Sequence, residues 1–470
     1  MVEFDPRQLM EWSGGAWHND IPRSVRGISI DSRAIVPGNV FVAIRGPNFD
    51  GHDFVASAAK KGACCAIISR RDLIGRFDCP FLLVDDTTKA LQRIAAGYRR
   101  TLGAKMIAVT GSVGKTTVKE MIADVLAGRL AVARTIGNLN NEYGLPLSVL
   151  NMDPQSKAGV FELGVSHAGE MEPLCRMLKP DWAVVTFVGP VHLEFFGSEE
   201  KVAEEKAVLL RHLPENGLAF VGRDNPWYEL LRSSAGCRLV SAGTGKGADY
   251  VLEQAGGAEN IVRVLERKTG ERCEYKLPLP GAHVAYNSLF AVAVARACGF
   301  DWLAIRSALE KFKAQAMRWE SAMISGVLAI NDAYNANPVS MAAALRTFAG
   351  LPHDGRKWLV LGGMRELGAV SEQAHQDLGR SLAQVNWAGL VTVGPLGEII
   401  AGAALAAGMD QRNIFECKTN HEAAGVLAER LKPGDAVLFK ASRGEKIEKA
   451  LEIWRKKNKP ERGYLFRNRL

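Results

Sequence analysis

Short apolar runs recur along the chain, and most lead into stretches whose apolar positions return every three or four residues. Met106-Ile-Ala-Val-Thr110 is one such run. Past Gly111-Ser-Val-Gly114, residues Val118, Met121, Ile122, Val125 and Leu126 fall at i, i+3, i+4, i+7 and i+8, a stripe that predicts a helix packed on a sheet. Residues 62–69 and 80–85 read as strands, and 88–102 as a helix. Val160-Phe-Glu162 and the run 182–188 are apolar nearly throughout, as parallel strands covered on both faces are. The stretch 251–279 alternates and carries glycine and charge, which predicts a small antiparallel extension. From Val327-Leu-Ala-Ile-Asn-Asp332 onward, apolar runs at 358–361, 390–393 and 436–439 alternate with helical stretches, the rhythm of a second doubly wound sheet. The fold class is α/β. Boundaries near 103 and 313 divide it into a small N-terminal α/β domain (1–103), a central parallel-sheet domain (104–313) and a C-terminal Rossmann-like domain (314–470).

The junction at 110–117 carries the first chemistry. An apolar strand, a glycine turn and Lys-Thr opening a helix make a phosphate cradle. Backbone N–H groups of Gly111, Ser112, Val113 and Gly114 are expected to face polyphosphate oxygens. Lys115 would reach the β/γ-phosphates, the Thr116 hydroxyl would bind Mg²⁺, and Thr117 would follow in the same turn. The first glycine of the usual pattern is replaced by Val109, so only Gly-x-x-Gly-Lys-Thr is present. ATP or GTP is the expected ligand.

Composition narrows the class. The 470 residues are 47% apolar and 23% charged, ordinary values for a water-soluble globular protein. No run approaches the ~20 apolar residues of a membrane span. The N-terminus lacks the basic and apolar regions of a secretion signal. The eight cysteines are scattered with no Cys-x-x-Cys pair, which fits reduced thiols in a cytoplasm better than disulfides or zinc. Cys64-Cys65 falls in an apolar run and reads as strand core. The net charge of +8 is concentrated at the end of the chain: 455–470 contributes +6, leaving +2 for the rest. A solvated basic tail on a nearly neutral body gives no nucleic-acid groove. Docking on an anionic membrane face is a weaker reading of the same tail.

Further polar residues stand at predicted strand ends, where open α/β sheets hold their ligands. Glu162 ends one apolar run and His192 follows another. Singly, each is compatible with a cap or a hydrogen-bonded polar residue; with Thr116 in the same domain, they suggest Mg²⁺ coordination. Lys206 lies in a predicted helix and alone reads as a surface lysine. Gly137-Asn-Leu-Asn-Asn-Glu-Tyr-Gly-Leu-Pro146, with Asn138, Asn140 and Asn141, is either an Asx-rich turn or a site for a polar, peptide-like or phosphate-bearing ligand.

Taken in order, several motifs resemble those of the Mur ligase family. They are Asp31-Ser-Arg33, Pro37 to Gly46, Phe49-Asp-Gly-His-Asp-Phe54, Val109 to Thr117, the asparagine-rich loop, Glu162-Leu-Gly-Val-Ser-His-Ala-Gly-Glu-Met171 and His192-Leu-Glu-Phe-Phe-Gly-Ser198 with Lys206. Asp332-Ala-Tyr-Asn-Ala-Asn-Pro-Val-Ser-Met341, Leu361-Gly-Gly-Met-Arg-Glu-Leu-Gly368, His375 and Lys440-Ala-Ser-Arg443 complete the series. The similarity is greatest to members that add a dipeptide. It implies a UDP-sugar-binding N-terminal domain, a central ATPase and a C-terminal domain that closes over the site. Asp31, Ser32, Arg33, Asp50, His52, Asn138, Asn140 and Asn141 would then contact the UDP-linked substrate. Asn287 matches an adenine contact and Arg318 an arginine directed at the γ-phosphate. Asp332, Tyr334 and Asn335 would reach the nucleotide on closure. Thr116, Glu162, His192 and Lys206 would hold Mg²⁺, two ions in all, with Lys206 carrying a carbamate. Lys115, Lys206, His192 and Arg318 make the catalytic set.

The implied reaction joins D-alanyl-D-alanine to UDP-N-acetylmuramoyl-tripeptide by way of an acyl phosphate. The enzyme would be a cytoplasmic monomer with no nucleic-acid partner and no membrane insertion. His167 is a candidate base for the incoming amine by position only. The chain departs from the family pattern at Val284, Gly363, Ala441 and Ser166, none of them an implied metal or phosphate ligand. An Asp-Asn-Pro-Arg clamp, the mark of the ligase adding a single diamino acid as third residue, is absent. Folylpolyglutamate synthase shares the ATPase core but not the Asp31-Ser-Arg33 domain. A P-loop ATPase that binds nucleic acid has only the basic tail in its favour.

Overall fold

The computed structural model describes residues 1–457 apart from 47, 77, 78 and 258, so most of the basic tail (458–470) lies outside the described residues. Three large sheets organise the backbone. The first runs in the order Ala16–His18, Phe81–Leu83, Cys65–Ile68, Val40–Val42, Ile28–Ser29 and is parallel except for its first strand. The predicted strand at 62–69 starts only at Cys65, because Gly62 turns the chain at φ +101°. Cys65 is buried there, while Cys64 is half-buried and donates its thiol to the Gly38 carbonyl. The predicted helix at 88–102 is Thr87–Thr101, capped by the Asp86 carboxylate.

The second sheet has nine strands, with Lys105–Thr110 flanked by Trp182–Val185 and Ala158–Glu162, all parallel. Alternate residues of Lys105–Thr110 enter different cores: Met106 and Ala108 on one face, Ile107 and Val109 on the other. That is why the run reads as continuously apolar. The far edge is the expected antiparallel extension, Tyr250–Gly256, Ile261–Glu266 and Arg272–Lys276. The third sheet, in the order Glu320–Ile324, Val327–Asn331, Ala436–Lys440, Lys357–Gly362, Gly389–Val393, Ile414–Cys417, is parallel but for its first strand.

The cores divide unequally. One apolar cluster runs without a break from Val2 through helix Thr87–Thr101 to Leu231, and Tyr98 donates its hydroxyl to the Met152 carbonyl at 2.6 Å. The first two sheets are therefore joined through shared apolar packing. The clusters around the third sheet draw on residues from Trp319 onward, Leu279 excepted. The C-terminal part meets the rest through Leu279 and through polar contacts that include Arg318 on Thr116 and Glu366 on His192.

Candidate active site

Strand Lys105–Thr110 delivers the chain to the loop 111–114, and helix Lys115–Ala127 carries it away. Two glycines fix the loop. Gly111 has φ +147°, and a Cβ there would lie 2.0 Å from Thr186 Oγ1. Gly114 caps the helix at φ +83°, and a Cβ would meet Asn287 Oδ1 at 2.6 Å. Asn287 thus stands against the loop, brought by helix Ala282–Ala297. Ser112 is locked by its hydroxyl, which donates to the Gly189 carbonyl (2.9 Å) and accepts from the Gly189 N–H (3.0 Å). The Val113 carbonyl accepts from Thr186 Oγ1 at 2.6 Å.

Lys115 turns its ammonium back onto the loop, donating to the carbonyls of Gly111 (2.8 Å) and Ser112 (3.4 Å). Desolvation pushes it below its ordinary pKa, Arg318 adds to this, and Glu162 opposes. Thr116 is the hub. Its hydroxyl donates to Glu162 Oε2 at 2.8 Å and accepts from Arg318 Nη2 at 2.9 Å. Glu162, 3% exposed at the end of Ala158–Glu162, takes the Asn140 amide on its other oxygen at 2.8 Å. One asparagine of the rich loop therefore belongs to the site. Asn141 instead caps the next turn through Gly144 N–H (2.9 Å), and the exposed Asn138 offers its carbonyl to Asn140 N–H. Thr117 continues the helix behind the hub.

Arg318 arrives from beyond the second expected boundary. Its guanidinium lies 4.0 Å above the Tyr334 ring, and the backbone on both sides of it is left-handed, at Met317 and Trp319 (φ +57° each). Asp332 accepts from Trp319 N–H at 3.2 Å and pairs with the buried Lys440 at 2.7 Å. Lys440 also reaches the Asn335 carbonyl at 3.1 Å, so Asp332, Tyr334, Asn335 and Arg318 form one structural unit.

His192 caps the short helix Leu193–Phe196 with φ +52°. Its Nδ1 lies 2.5 Å from Glu366 Oε2, and this bond holds the Glu366 carboxyl below its usual pKa range. Lys206, in helix Glu199–Arg211, is 1% exposed, which overturns the reading of an isolated surface lysine. Burial first, then the charge of Lys115, pulls its amine down to about 7, with Glu205 opposing. Glu205 is itself occupied by Gly169 and Met171 N–H groups, at 2.9 and 2.7 Å. His167 is exposed, bonded to Glu170 at 3.1 Å and tilted against the Phe195 ring.

The first-sheet residues stand apart from this hub. Arg33 holds the Asp31 carboxylate through two 2.9 Å bonds and keeps its pKa at about 2, while the Ser32 carbonyl accepts from Lys61. His52 is buried; Asp50 lies 2.6 Å from its Nδ1, and Ser69 N–H donates to Nε2 at 2.9 Å. Both ring nitrogens serve the domain's own structure.

Among the described residues, no three of His, Cys, Asp and Glu converge as a metal cage. That suits Mg²⁺, which takes a few protein oxygens and completes its shell with phosphate and water. The oxygen pair Thr116–Glu162 beside a phosphate loop fits it. Two residues escaped sequence reading. Glu366 sits in the Leu361–Gly368 motif at a strand exit, the one signal that pointed to it. Lys119, wholly buried in the P-loop helix, pairs with Glu120 at 2.5 Å and donates to the Thr135 carbonyl; nothing in the pattern marked it.

A P-loop that meets a buried carboxylate and an arginine from a separate Rossmann-like sheet defines an α/β phosphate-handling enzyme of three-domain architecture. Family models match three segments: "Mur ligase family, catalytic domain" over 24–99, "Mur ligase middle domain" over 109–295 and "Mur ligase, glutamate ligase domain" over 317–443. The UDP-N-acetylmuramoyl-tripeptide–D-alanyl-D-alanine ligase of Bacillus subtilis is 35% identical over 91% of this chain and 93% of its own length. The crystal structure of MurF from Acinetobacter baumannii superposes with TM-score 0.87 at 30% identity, covering 97% of this chain and 99% of that one. MurF from Thermotoga maritima, solved in complex with ADP, gives TM-score 0.79 at 31% identity, over 92% and 97%. The chain belongs to the Mur ligase family.

Proposed function

We propose that the chain is the ATP-dependent ligase that joins D-alanyl-D-alanine to the terminal carboxylate of UDP-N-acetylmuramoyl-tripeptide, as a cytoplasmic monomer in peptidoglycan precursor synthesis. The observation that carries this reading is the Thr116 hub. It couples a phosphate loop to Arg318, and it does so in a chain similar along nine-tenths of its length to a dipeptide-adding relative. Among the described residues no helix is long and apolar enough to cross a membrane. We assign the UDP-sugar to 1–103, ATP to 104–313 and the closing function to 314–470, with Asp31, Ser32, Arg33, Asp50, Asn138 and Asn140 on the UDP-substrate side and His52 and Asn141 holding the segments that carry them.

A free carboxylate is a poor electrophile, so the tripeptide carboxylate attacks the γ-phosphorus of ATP, forming an acyl phosphate and releasing ADP. The dipeptide amine then adds to the acyl carbon, loses a proton, and phosphate leaves from the tetrahedral intermediate. The protein's part is positioning and charge. Lys115 gives up two neutral carbonyls for the phosphates, and the gain in charge pairing reverses its desolvation. Arg318, held over the Tyr334 ring, faces the same oxygens as a permanent cation. Asn287 would meet adenine, and Asp332, Tyr334 and Asn335 would close the nucleotide in. Thr116, Glu162, His192 and a carbamylated Lys206 would hold the two Mg²⁺ ions, which neutralise phosphate charge when bound. The Lys206 amine, poised at about 7, is neutral often enough to add to CO₂, forming the N–C bond and shedding one proton. Closure of the C-terminal domain excludes water that would hydrolyse the acyl phosphate.

Phosphate release is measured with ATP, Mg²⁺, the UDP-tripeptide and D-Ala-D-Ala, omitting each in turn. Release that requires all four, with a product heavier by one dipeptide, is the expected result. Release without either acceptor, or only with a single amino acid or a folate, refutes the assignment.

A further inference from the structure

The bond between His192 and Glu366 spans 174 positions of sequence and crosses from the central sheet to the C-terminal one. Both partners are non-glycine residues with left-handed backbone, φ +52° and +65°. Such conformations persist where the surrounding structure imposes them, and they concentrate at working sites. A second bond reinforces the pair: Glu194 N–H donates to the Glu366 carbonyl at 3.2 Å. Gly368 lets the loop approach further, since a Cβ there would lie 3.0 Å from Glu194 Cα. The loop is not free to adjust by itself. Met364 N–H donates to His375 Nε2 at 2.8 Å, Arg365 N–H donates to Ser442 Oγ at 2.9 Å, and Arg365 Nε donates to Glu445 at 2.6 Å. Where the C-terminal domain goes, Glu366 goes.

With Glu366 Oε2 as acceptor at Nδ1, a neutral ring keeps its lone pair on Nε2. A carboxylate behind a ligating histidine fixes ring orientation and raises basicity. We propose that Glu366 is a positioning residue supplied by the C-terminal domain to His192, so that the imidazole is set for metal only when that domain is closed. The inference rests on the reading of His192 as a Mg²⁺ ligand. It adds that closure itself completes the metal site, from the domain that contributes none of the assigned ligands.

The test is Mn²⁺ binding followed by electron paramagnetic resonance on the full chain with ADP and no acceptor substrate, so that no turnover is needed. Glu366→Ala is expected to weaken Mn²⁺ about tenfold, within the range for loss of such a partner. Affinity for ADP without metal should be unchanged. Glu366→Gln keeps an oxygen that accepts from Nδ1 and should recover most of the loss. Small-angle scattering should show Glu366→Ala more expanded than the parent with ADP and Mn²⁺. Mn²⁺ affinity unchanged in Glu366→Ala, or a Gln variant as weak as Ala, overturns the proposal. Mn²⁺ affinity unchanged in His192→Ala overturns its premise. Ligation itself is scored separately by the omission assay, so failure there is not confused with failure here.

Discussion

Replacing Lys206 by Met should stabilise the central domain while abolishing ligation. Met matches the length of the lysine stem and leaves no cavity, but it carries no charge to desolvate. The amine falls from an ordinary 10.5 to about 7 on folding. At about 1.4 kcal/mol per pH unit, that gap caps the penalty for folding around this lysine at about 5 kcal/mol. Below about pH 7 both folded and unfolded chains are protonated, and the penalty is whole. Between about 7 and 10.5 the unfolded chain binds a proton that the folded one does not, so stability rises with pH. Above 10.5 both are neutral and the penalty is gone. The substitution should therefore gain up to about 4 kcal/mol at pH 7 and only about 1 kcal/mol at pH 10. Relaxation and water penetration reduce the first figure to about 2–4 kcal/mol.

Hydrogen exchange of the amides in Glu199–Arg211 as a function of urea, in CO₂-free buffer, isolates the relevant opening from unfolding elsewhere. Adding bicarbonate should narrow the difference, because a carbamate exchanges the buried cation for an anion beside Lys115. A Met variant no more stable than the parent at pH 7, or an advantage that does not shrink towards pH 10, would refute the reasoning.

Gly114→Ala should lose ATP binding by calorimetry and about 1–2 kcal/mol of stability, the cost of a left-handed alanine, with Asn287 forced away by the new methyl. Arg318→Lys keeps the charge but loses the guanidinium's contact over the Tyr334 ring and the aimed N–H to Thr116, so kcat/KM should fall at least about tenfold with folding unchanged. Lys440→Met leaves the half-buried Asp332 beside an apolar chain and should cost up to about 3 kcal/mol in urea unfolding of the C-terminal domain, with recovery in a Lys440→Met/Asp332→Asn double variant. Removing 458–470 should leave the omission assay unchanged. The cut is placed there because Ala450 and Trp454 of helix Glu448–Lys457 are buried and an earlier one would expose that core.

What the sequence made legible follows from where each signal resides. The P-loop was readable because its function is local: two glycines, a lysine and a threonine within six residues need only the strand before and the helix after. The three sheets were readable because strands covered on both faces must be apolar throughout. The short strands near the N-terminus, such as Val25–Arg26 and Ile28–Ser29, escaped because two residues carry no period. Lys206 shows the opposite limit. Its helix neighbours look like those of any amphipathic helix, and only tertiary burial, with the charge of Lys115 second, depresses its pKa. Asn140 and Asn141 are adjacent and alike in composition, yet one bonds a buried carboxylate and the other closes a turn. Side-chain direction, set by the loop's path, separates them, and no residue count encodes it.

The distribution of cores explains why the site is divided as it is. An apolar interface between the ATPase and the C-terminal sheet would hold them together whatever was bound, because burial is favourable with or without ligand. Here the first two sheets share such a core, whereas in the apolar clusters of the described residues Leu279 alone reaches across to the third sheet, which meets the others also through Arg318 on Thr116 and Glu366 on His192. Contacts of that kind are worth little in water and much once phosphate and metal supply opposing charge and solvent is expelled. The same residues that would act on the transferred phosphate are therefore those that bring the domains together. A nucleotide or metal that engages Thr116, Arg318 and His192 favours the closed arrangement by its differential affinity for it.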